Sequence, residues 1–517
     1  MTKNNIRKKS FQWHLLLAWV GAFALFAFCI SGITHPLLSW TGPQSSAFMP
    51  PRAVMKADQV NVIDDILAKH DISHAIVVKL VPSEQGVVLQ VTEHNDQARR
   101  YFDLNSFTEL TDYDIKQAEW LARYYALNGD TQVAVKEITF QTEFDSAYPW
   151  VNRLLPVYKV TFDNEQNLST YVYTEINALA GLSNNYKTRV QAVFRNLHTW
   201  SWLNGVDGVR IIIMALLLLS IIAMTLTGIA LVLLLKTRKK MPLKAKVHRY
   251  LAYGLWLPLL MFSSSGFYHL LHYGFTETHR GLQLGSAISL GEFNQANEVF
   301  ELPQSHLNQI SVIEHQGQLA YRLSIAPVPK HRGEQKLKGG GEHAHHDMSD
   351  NEIRNARFDG QATEKGAVYY SVSSGKRINT NDRDVAINVA AQQLQLDTAS
   401  LRDATLIKRF GLHYDFRNKR LPVWQLEFDS ELGDLVFVDP ATGILVDRLV
   451  DKDRYEGYSF SFLHKWNFLT PFIGREVRDI MMAIVLLLII LFVGLGVAMK
   501  IQPVSYTHLT LPTILLV

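Results

Sequence analysis

Four apolar runs, near residues 13–35, 208–235, 249–272 and 478–499, stand out from an otherwise mixed chain. Each is long enough to cross about 30 Å of hydrocarbon as a helix. Between the first and second runs, and between the third and fourth, the pattern changes period. "VVLQVTE", "VYKVTFD", "WQLEFD" and "LVFVD" alternate apolar with polar positions, as half-buried strands do. "TDYDIKQAEWLARYYAL" and "RDVAINVAAQQLQL" carry apolar residues at helical spacing. The pattern predicts a membrane protein with two α+β regions set between pairs of spanning helices.

Charge orients these elements. Lys3, Arg7, Lys8 and Lys9 precede the first run, and Lys236, Arg238, Lys239, Lys240, Lys244, Lys246 and Arg249 lie between the second and third. Both clusters are expected on the cytoplasmic side. The first run is too long for a cleaved signal and has no A-x-A-like site behind it, so it is expected to be a retained anchor. Residues 1–35 are then the cytoplasmic N-terminus and first span, and 36–207 the first external domain. The second span covers 208–235, a basic cytoplasmic loop 236–248, and the third span 249–272. The second external domain is 273–477, the fourth span 478–500, and 501–517 a tail returning to the cytoplasm. The net charge of +3 goes mostly to this topology and gives no reason to invoke nucleic acid. The single cysteine, Cys29, lies inside the first span. This excludes disulfides within the chain, and any all-cysteine metal or iron–sulfur site.

The chain also repeats itself. "HLLLAWVGAFALFAFCISGITH" (His14 to His35) and "HRYLAYGLWLPLLMFSSSGFYH" (His248 to His269) share an entry histidine, a Ser-Gly pair and an exit histidine at one constant offset. "LPVYKVTFD" matches "LPVWQLEFD", and "LHTWSWL" (197–203) matches "LHKWNFL" (463–469), at a second offset. The difference is absorbed by a Gly/His-rich insertion at 336–350. The unit is span, external domain, LHxW, span, and two such units predict a pseudo-two-fold axis along the membrane normal. The expected fold is therefore a four-helix transmembrane bundle carrying two external α+β domains.

Three histidine pairs follow from the repeat: His14/His248, His35/His269 and His198/His464, with His272 one turn beyond His269. A lone histidine at a span edge anchors at the headgroups or caps a helix, and Trp200, Trp202 and Trp466 suit an interfacial belt. Repetition points elsewhere. His14 and His35 are 21 residues apart, about 31 Å on a helix and on similar sides. Two such helices facing each other offer imidazoles in two layers, one per membrane face. That is what two b-type haems stacked across a bilayer need. Gly21, Gly32, Gly254 and Gly266 leave room for a flat macrocycle or a close helix. His14/His248 have no rival on the cytoplasmic side. On the outer side His35/His269, His198/His464 and a mixed set remain open, and a pair that does not ligate can line a substrate or proton path.

With these motifs the chain resembles the PepSY-associated transmembrane family. "VHRYLAYGLWLPLLMFSSSG" is similar to the family's histidine-led span. "LHTWSWLNGVDGVRIIIMALLLLSIIAMTLTG" is similar to its LHxxLxxGxxGR-led span ending in Thr227-Gly228. "LPVWQLEF…LVFVDPATGILVDR" is similar to a PepSY hairpin with its Val-Asp-x-x-Thr-Gly turn. The likeness runs from about 14 to 500. Gln12, Trp13 and Leu15 flank the first histidine where the family usually has an arginine after it, and "YTEINALAG" replaces the hairpin turn in the first copy. The resemblance implies a bacterial inner-membrane protein with periplasmic PepSY-like domains. It also implies two b haems and reduction of ferric siderophores or other iron chelates.

No Walker sequence, no G-x-G-x-x-G after a strand, no H-E-x-x-H and no G-x-S-x-G occurs, so no flavin or nucleotide site is visible. The electron donor is expected to be external, a quinol or a cytoplasmic reductase. "EHAHHD" offers His343, His345 and His346 for weak metal binding, or is a solvated insertion. The tail after Pro503 fits nothing upstream and reads as a translated sequencing adapter, which would void His508. Two other classes compete with the reductase: a non-enzymatic PepSY module binding a peptide or protease, and an accessory subunit of metal or siderophore transport.

Overall fold

The computed structural model describes residues 3–235, 241–291, 293, 307–325 and 366–501. The chain divides into two compact units. One comprises residues 1–41, 189–277 and 456–517; the other comprises 42–188 and 278–455.

The first unit is built on four long helices, α1 (Lys3–Thr41), α2 (Asp207–Leu234), α3 (Leu243–Phe275) and α4 (Thr470–Ile501). α1 and α3 each pack against both α2 and α4, so they stand on opposite corners of the group. Ala24, Leu25, Leu217, Ile221, Leu255, Leu259, Ile489 and Val493 fill the centre. Outward-facing residues are apolar too: Leu216, Leu226 and Leu233 on α2 are 61%, 52% and 77% exposed. A helix that is apolar on every face needs a non-aqueous surrounding. Lys3–Thr41, Ser201–Leu234 and Asn467–Ile501 are long and apolar enough to cross a membrane. The segment expected to be the third span forms the helix α3 but is not in this set. Its Ser263-Ser264-Ser265 run, its tyrosines and Pro258 dilute its apolar character.

Just before α2 and α4 the backbone makes two π-helical turns, Arg195–Thr199 and Phe460–His464. Each is followed by a tryptophan in the left-handed region, Trp200 (φ 52°) and Trp466 (φ 51°). These turns carry the histidines of the two LHxW motifs. Single π turns interrupt regular helices mostly where a side chain must be aimed at a site.

The second unit is α+β. Strands β1 (His74–Ala75), β2 (Val77–Ser83), β3 (Gly86–Thr92) and β4 (Arg100–Phe102) come from the first half of the chain. A four-stranded sheet follows in simple order, β5 (Val135–Gln141), β6 (Val157–Phe162), β7 (Ser169–Tyr173) and β8 (Ala178–Ser183). Helix Tyr113–Ala126 covers it, burying Ala118, Leu121, Ala122 and Tyr125 against Val160, Phe162 and Val172. The second half contributes β9 (Ile288–Ser289), β10 (Leu307–His315), β11 (Gln318–Ile325), β12 (Ala367–Ser371) and β13 (Arg377–Ile378). It then repeats the sheet as β14 (Leu401–Ile407), β15 (Val423–Phe428), β16 (Leu435–Asp439) and β17 (Ile444–Leu449), covered by helix Asp382–Leu394.

The two four-stranded sheets match in detail. Both have one bulge between the first two strands, at Val135/Glu137 and Leu401/Asp403, and one between the last two. In each, a tyrosine hydroxyl donates to a backbone carbonyl six residues on, Tyr148 to Leu154 and Tyr414 to Arg420. In each, a non-glycine residue follows in the left-handed region, Arg153 (φ 69°) and Lys419 (φ 63°). The halves are not separate modules, however. β2 pairs antiparallel with β10, Lys79 opposite Ser311 and Val78 opposite Val312, making one seven-stranded sheet in the order β13-β12-β11-β10-β2-β3-β4.

Buried charges tie the halves further. Lys79 Nζ lies 3.0 Å from Glu175 Oε1, Arg420 grips the other oxygen of Glu175, and Arg420 Nη1 lies 3.1 Å from Asp439. Burial pushes the Glu175 carboxyl up, but Arg420 and Lys79 outweigh it and hold the group down at about 2. Arg153 reaches Asp447 Oδ2 at 2.7 Å, and the same oxygen accepts from Asn418 at 2.7 Å. Removing one partner of such a buried pair leaves an uncompensated charge and is strongly destabilising.

Candidate functional site: four oriented imidazoles

His14 on α1 reaches α2, where its Nδ1 lies 3.1 Å from the Met224 carbonyl oxygen. A Cβ on Gly228 would sit 3.4 Å from the His14 ring. The counterpart on α3 does the same to α4. His248 Nδ1 lies 3.1 Å from the Phe492 carbonyl oxygen, and a Cβ on Gly496 would sit 3.2 Å from its ring. A carbonyl only accepts, so each Nδ1 carries the proton and donates it, which leaves Nε2 with its lone pair.

The outer pair is oriented by a different device with the same outcome. Ser31 Oγ donates to the Ala27 carbonyl oxygen at 2.6 Å and lies 3.0 Å from His198 Nδ1. Ser265 Oγ donates to the Met261 carbonyl oxygen at 2.6 Å and lies 3.1 Å from His464 Nδ1. Because each hydroxyl proton goes back to its own helix, the serine oxygen accepts from the imidazole. Nε2 is again left unprotonated. Burial holds both rings below the ordinary histidine range, His198 to about 4 and His464 to about 3, so both are neutral at pH 7. Each ring is packed by two phenylalanines, Phe194 and Phe28 about His198, Phe460 and Phe262 about His464.

The His198 and His464 rings are 6.3 Å apart, centre to centre, with their planes at 81°. A metal–imidazole bond is about 2 Å long, and a nitrogen lies about 1.2 Å from its ring centre. Two imidazoles holding one metal between them would therefore have centres about 6.4 Å apart. His198 and His464 are spaced so that both could hold one, were it bound.

The remaining pair has diverged. His269 Nδ1 bonds Glu456 Oε1 at 2.5 Å and stacks on Phe460, so its Nδ1 has a carboxylate partner. His35 instead feels Lys465, Arg475, Asp479 and Arg478. His272 is buried edge-on to Tyr268 and Tyr273. Of the glycines singled out by sequence, Gly21 meets Met224 and Gly32 meets Leu486 at helix contacts, Gly266 lies under His464, and Gly254 faces open space. The glycines under the inner histidines, Gly228 and Gly496, were not recognised as such. Their signal was available, since each lies in the last two turns of its helix, α2 or α4, at the depth of the neighbouring helix's entry histidine.

No family model, curated protein or solved structure matches this chain. Among the described residues no three or more His, Cys, Asp or Glu side chains cluster to hold a metal ion. A haem takes only two protein ligands, so that finding concerns other metal sites. His343, His345 and His346 lie outside the described residues.

Proposed function

We propose that the chain is a haem-containing membrane oxidoreductase that passes electrons outward to ferric iron chelates, siderophores among them. The observation that supports this most is the orientation of four imidazoles, each with Nδ1–H committed and Nε2 left free, in two layers. Such committed partners fix the tautomer and raise ligand basicity. His14 and His248 would hold a b-type haem at the cytoplasmic side, and His198 and His464 one at the outer side. When bound, haem supplies one-electron transfer between Fe(III) and Fe(II). The chain's own residues fix the rings, exclude water with Phe28, Phe194, Phe262 and Phe460, and keep His198 and His464 neutral. α3 is taken as a fourth span, and the second unit as two PepSY-like domains in the periplasm of a bacterium. Electrons would come from a quinol or a cytoplasmic reductase, and one electron per ferric ion releases Fe²⁺, which hard-oxygen chelators hold less tightly.

Purified protein in detergent, oxidised and then reduced with dithionite, is expected to show sharp b-type bands. A pyridine haemochrome titration should give about two haems per chain. A colourless preparation from haem-replete cells would overturn the proposal.

A further inference from the structure

Charge is segregated between the two ends of the four-helix unit. That unit contains only five acidic residues, Asp207, Glu277, Glu456, Glu476 and Asp479. Asp207 starts α2, Glu476 and Asp479 lie in the first turns of α4, Glu277 lies just past α3, and Glu456 meets His269. All five therefore stand at the end away from His14 and His248. The end that carries those two histidines has cations alone: Lys3, Arg7, Lys8 and Lys9 on α1, with Lys244, Lys246, Arg249 and Lys500 on α3 and α4. Lys500 Nζ lies 2.6 Å from the Leu15 carbonyl oxygen and over the Trp19 ring. Arg249 Nη2 lies 3.2 Å from the Val232 carbonyl oxygen, and Lys246 lies over the Tyr250 ring. These partners are neutral, so they hold the cations in place and cancel none of their charge.

A second observation sets the α1 cluster apart. α1 begins eleven residues before His14, about 16 Å along its axis, whereas α3 begins five residues before His248, about 8 Å. The exposed rings Trp13, Trp19, Tyr250 and Tyr253 mark the level of an interfacial belt around this end. Lys3 to Lys9 lies four to ten residues beyond Trp13, and every residue of that stretch is exposed. Its four cations form no ion pair among the described residues. They make an array that stands out past the headgroup level, where Lys244 and Lys246 remain near it. Fields of such arrays reach about 8–10 Å at ordinary salt and speed the arrival of opposite charge about 10- to 1,000-fold.

We infer that this projecting arm docks an acidic, water-soluble one-electron carrier, an iron–sulfur or flavin protein, and that this carrier is the electron donor. The assignment as donor rests on the function proposed above; the docking does not require haem. One electron leaves the carrier's cluster or flavin, and the iron held by His14 and His248 goes from Fe(III) to Fe(II), so no further reactant is needed. A quinol would arrive through the lipid and gain nothing from charges that stand clear of it. Full-length protein in detergent tests this, with an acidic [2Fe–2S] ferredoxin as the probe. The arm variant combines Lys3→Gln, Arg7→Gln, Lys8→Gln and Lys9→Gln, all at exposed positions. A control of equal charge change combines Lys56→Gln, Lys69→Gln, Lys116→Gln and Lys136→Gln, exposed lysines of the second unit.

Ferredoxin affinity and the rate of haem reduction by reduced ferredoxin should both fall about tenfold or more in the arm variant, and again as salt rises from about 20 to 200 mM. The control should stay within about twofold of wild type. No binding to wild type at low salt, or equal affinities in the arm variant and the control, would overturn the inference. Loss of co-purifying phosphatidylglycerol from the arm variant at unchanged ferredoxin affinity would overturn it too, and would give the arm to anionic lipid. Binding through the arm without haem reduction would overturn the assignment as donor. A protein without haem would remove the proposed function, and the affinity comparison would still decide the docking.

Discussion

Ser265→Ala isolates the orienting bond of one outer imidazole. The hydroxyl does two things, donating to the Met261 carbonyl oxygen at 2.6 Å and accepting from His464 Nδ1 at 3.1 Å. The first is a helix back-bond of little consequence, because Met261 already has a main-chain partner. The second is one of two acceptors for a ring that sits among Phe262 and Phe460, the other being the Phe262 carbonyl oxygen. Alanine leaves the N–H to the Phe262 carbonyl alone, a net loss of about 0.5–1.5 kcal/mol, which corresponds to about 2- to 12-fold in a binding constant. Removing a group that orients a metal-ligating histidine typically costs about 10- to 100-fold in affinity, and the remaining carbonyl puts this case at the low end. The variant is therefore expected to lose outer-layer haem to excess apomyoglobin about 2- to 12-fold more readily than wild type. Ser263→Ala is the matched control, since Ser263 Oγ makes the same back-bond, to Leu259 at 2.6 Å, and faces no histidine. Ser31→Ala should match Ser265→Ala in size, because its distance to His198 is 3.0 Å. Equal haem retention in Ser265→Ala and Ser263→Ala would refute the reasoning, and an effect at only one of the two serines would refute the paired geometry.

The inner layer is tested by Gly496→Val, whose side chain must displace the His248 ring from a Cβ position only 3.2 Å away; haem per chain should fall from two towards one, while Gly254→Val, in open space, should keep both. In the second unit, Glu175→Gln leaves Lys79 buried without its counter-charge and Arg420 with Asp439 alone, and urea unfolding should show a loss of about 3–5 kcal/mol. The carboxyl of Glu175 titrates near 2 in the folded chain against about 4.3 when unfolded. Its contribution is thus complete above about 4.3 and lost as the pH falls towards 2, so the variant should show a shallower acid limb, and an unchanged limb would count against the network. Gly433→Ala should cost more than Gly443→Ala in thermal melts. Both have φ 66°, worth about 1–2 kcal/mol against a side chain, but only at 433 would the new Cβ fall 2.5 Å from the Asp451 carboxylate.

Much of this was legible in the residues, and the failures share a cause. The repeat placed His14 with His248 and His198 with His464, and the periods of "TDYDIKQAEWLARYYAL" and "RDVAINVAAQQLQL" fall on helices Tyr113–Ala126 and Asp382–Leu394. What orients the rings was partly hidden. Ser31 and Ser265 were visible as repeated residues without a role, and the inner acceptors are main-chain carbonyls of Met224 and Phe492, which have no residue identity to read. Spacing left the outer pair open; the 6.3 Å between the His198 and His464 rings, which no sequence spacing shows, is what favours them in the proposed reading. The join of β2 to β10 was equally invisible, because edge pairing over such sequence separation leaves no periodic trace. α3 shows the limit of hydropathy itself: its serines and tyrosines lower the average without stopping the helix.

That strand pairing carries a consequence for how the protein is made. Exchanging each residue of the β2–β3 hairpin for its counterpart in β10–β11, aligned on the turns at Gly86 and Gly317, leaves the β2–β10 register unchanged. A self-complementary contact of this kind is what two identical chains make across a dyad. The two halves nevertheless differ where their charges stand, as at Glu456 and Arg478. The pairing also leaves the edge of β2 open during synthesis until the second half emerges, so the first half should need protection from aggregation while it waits.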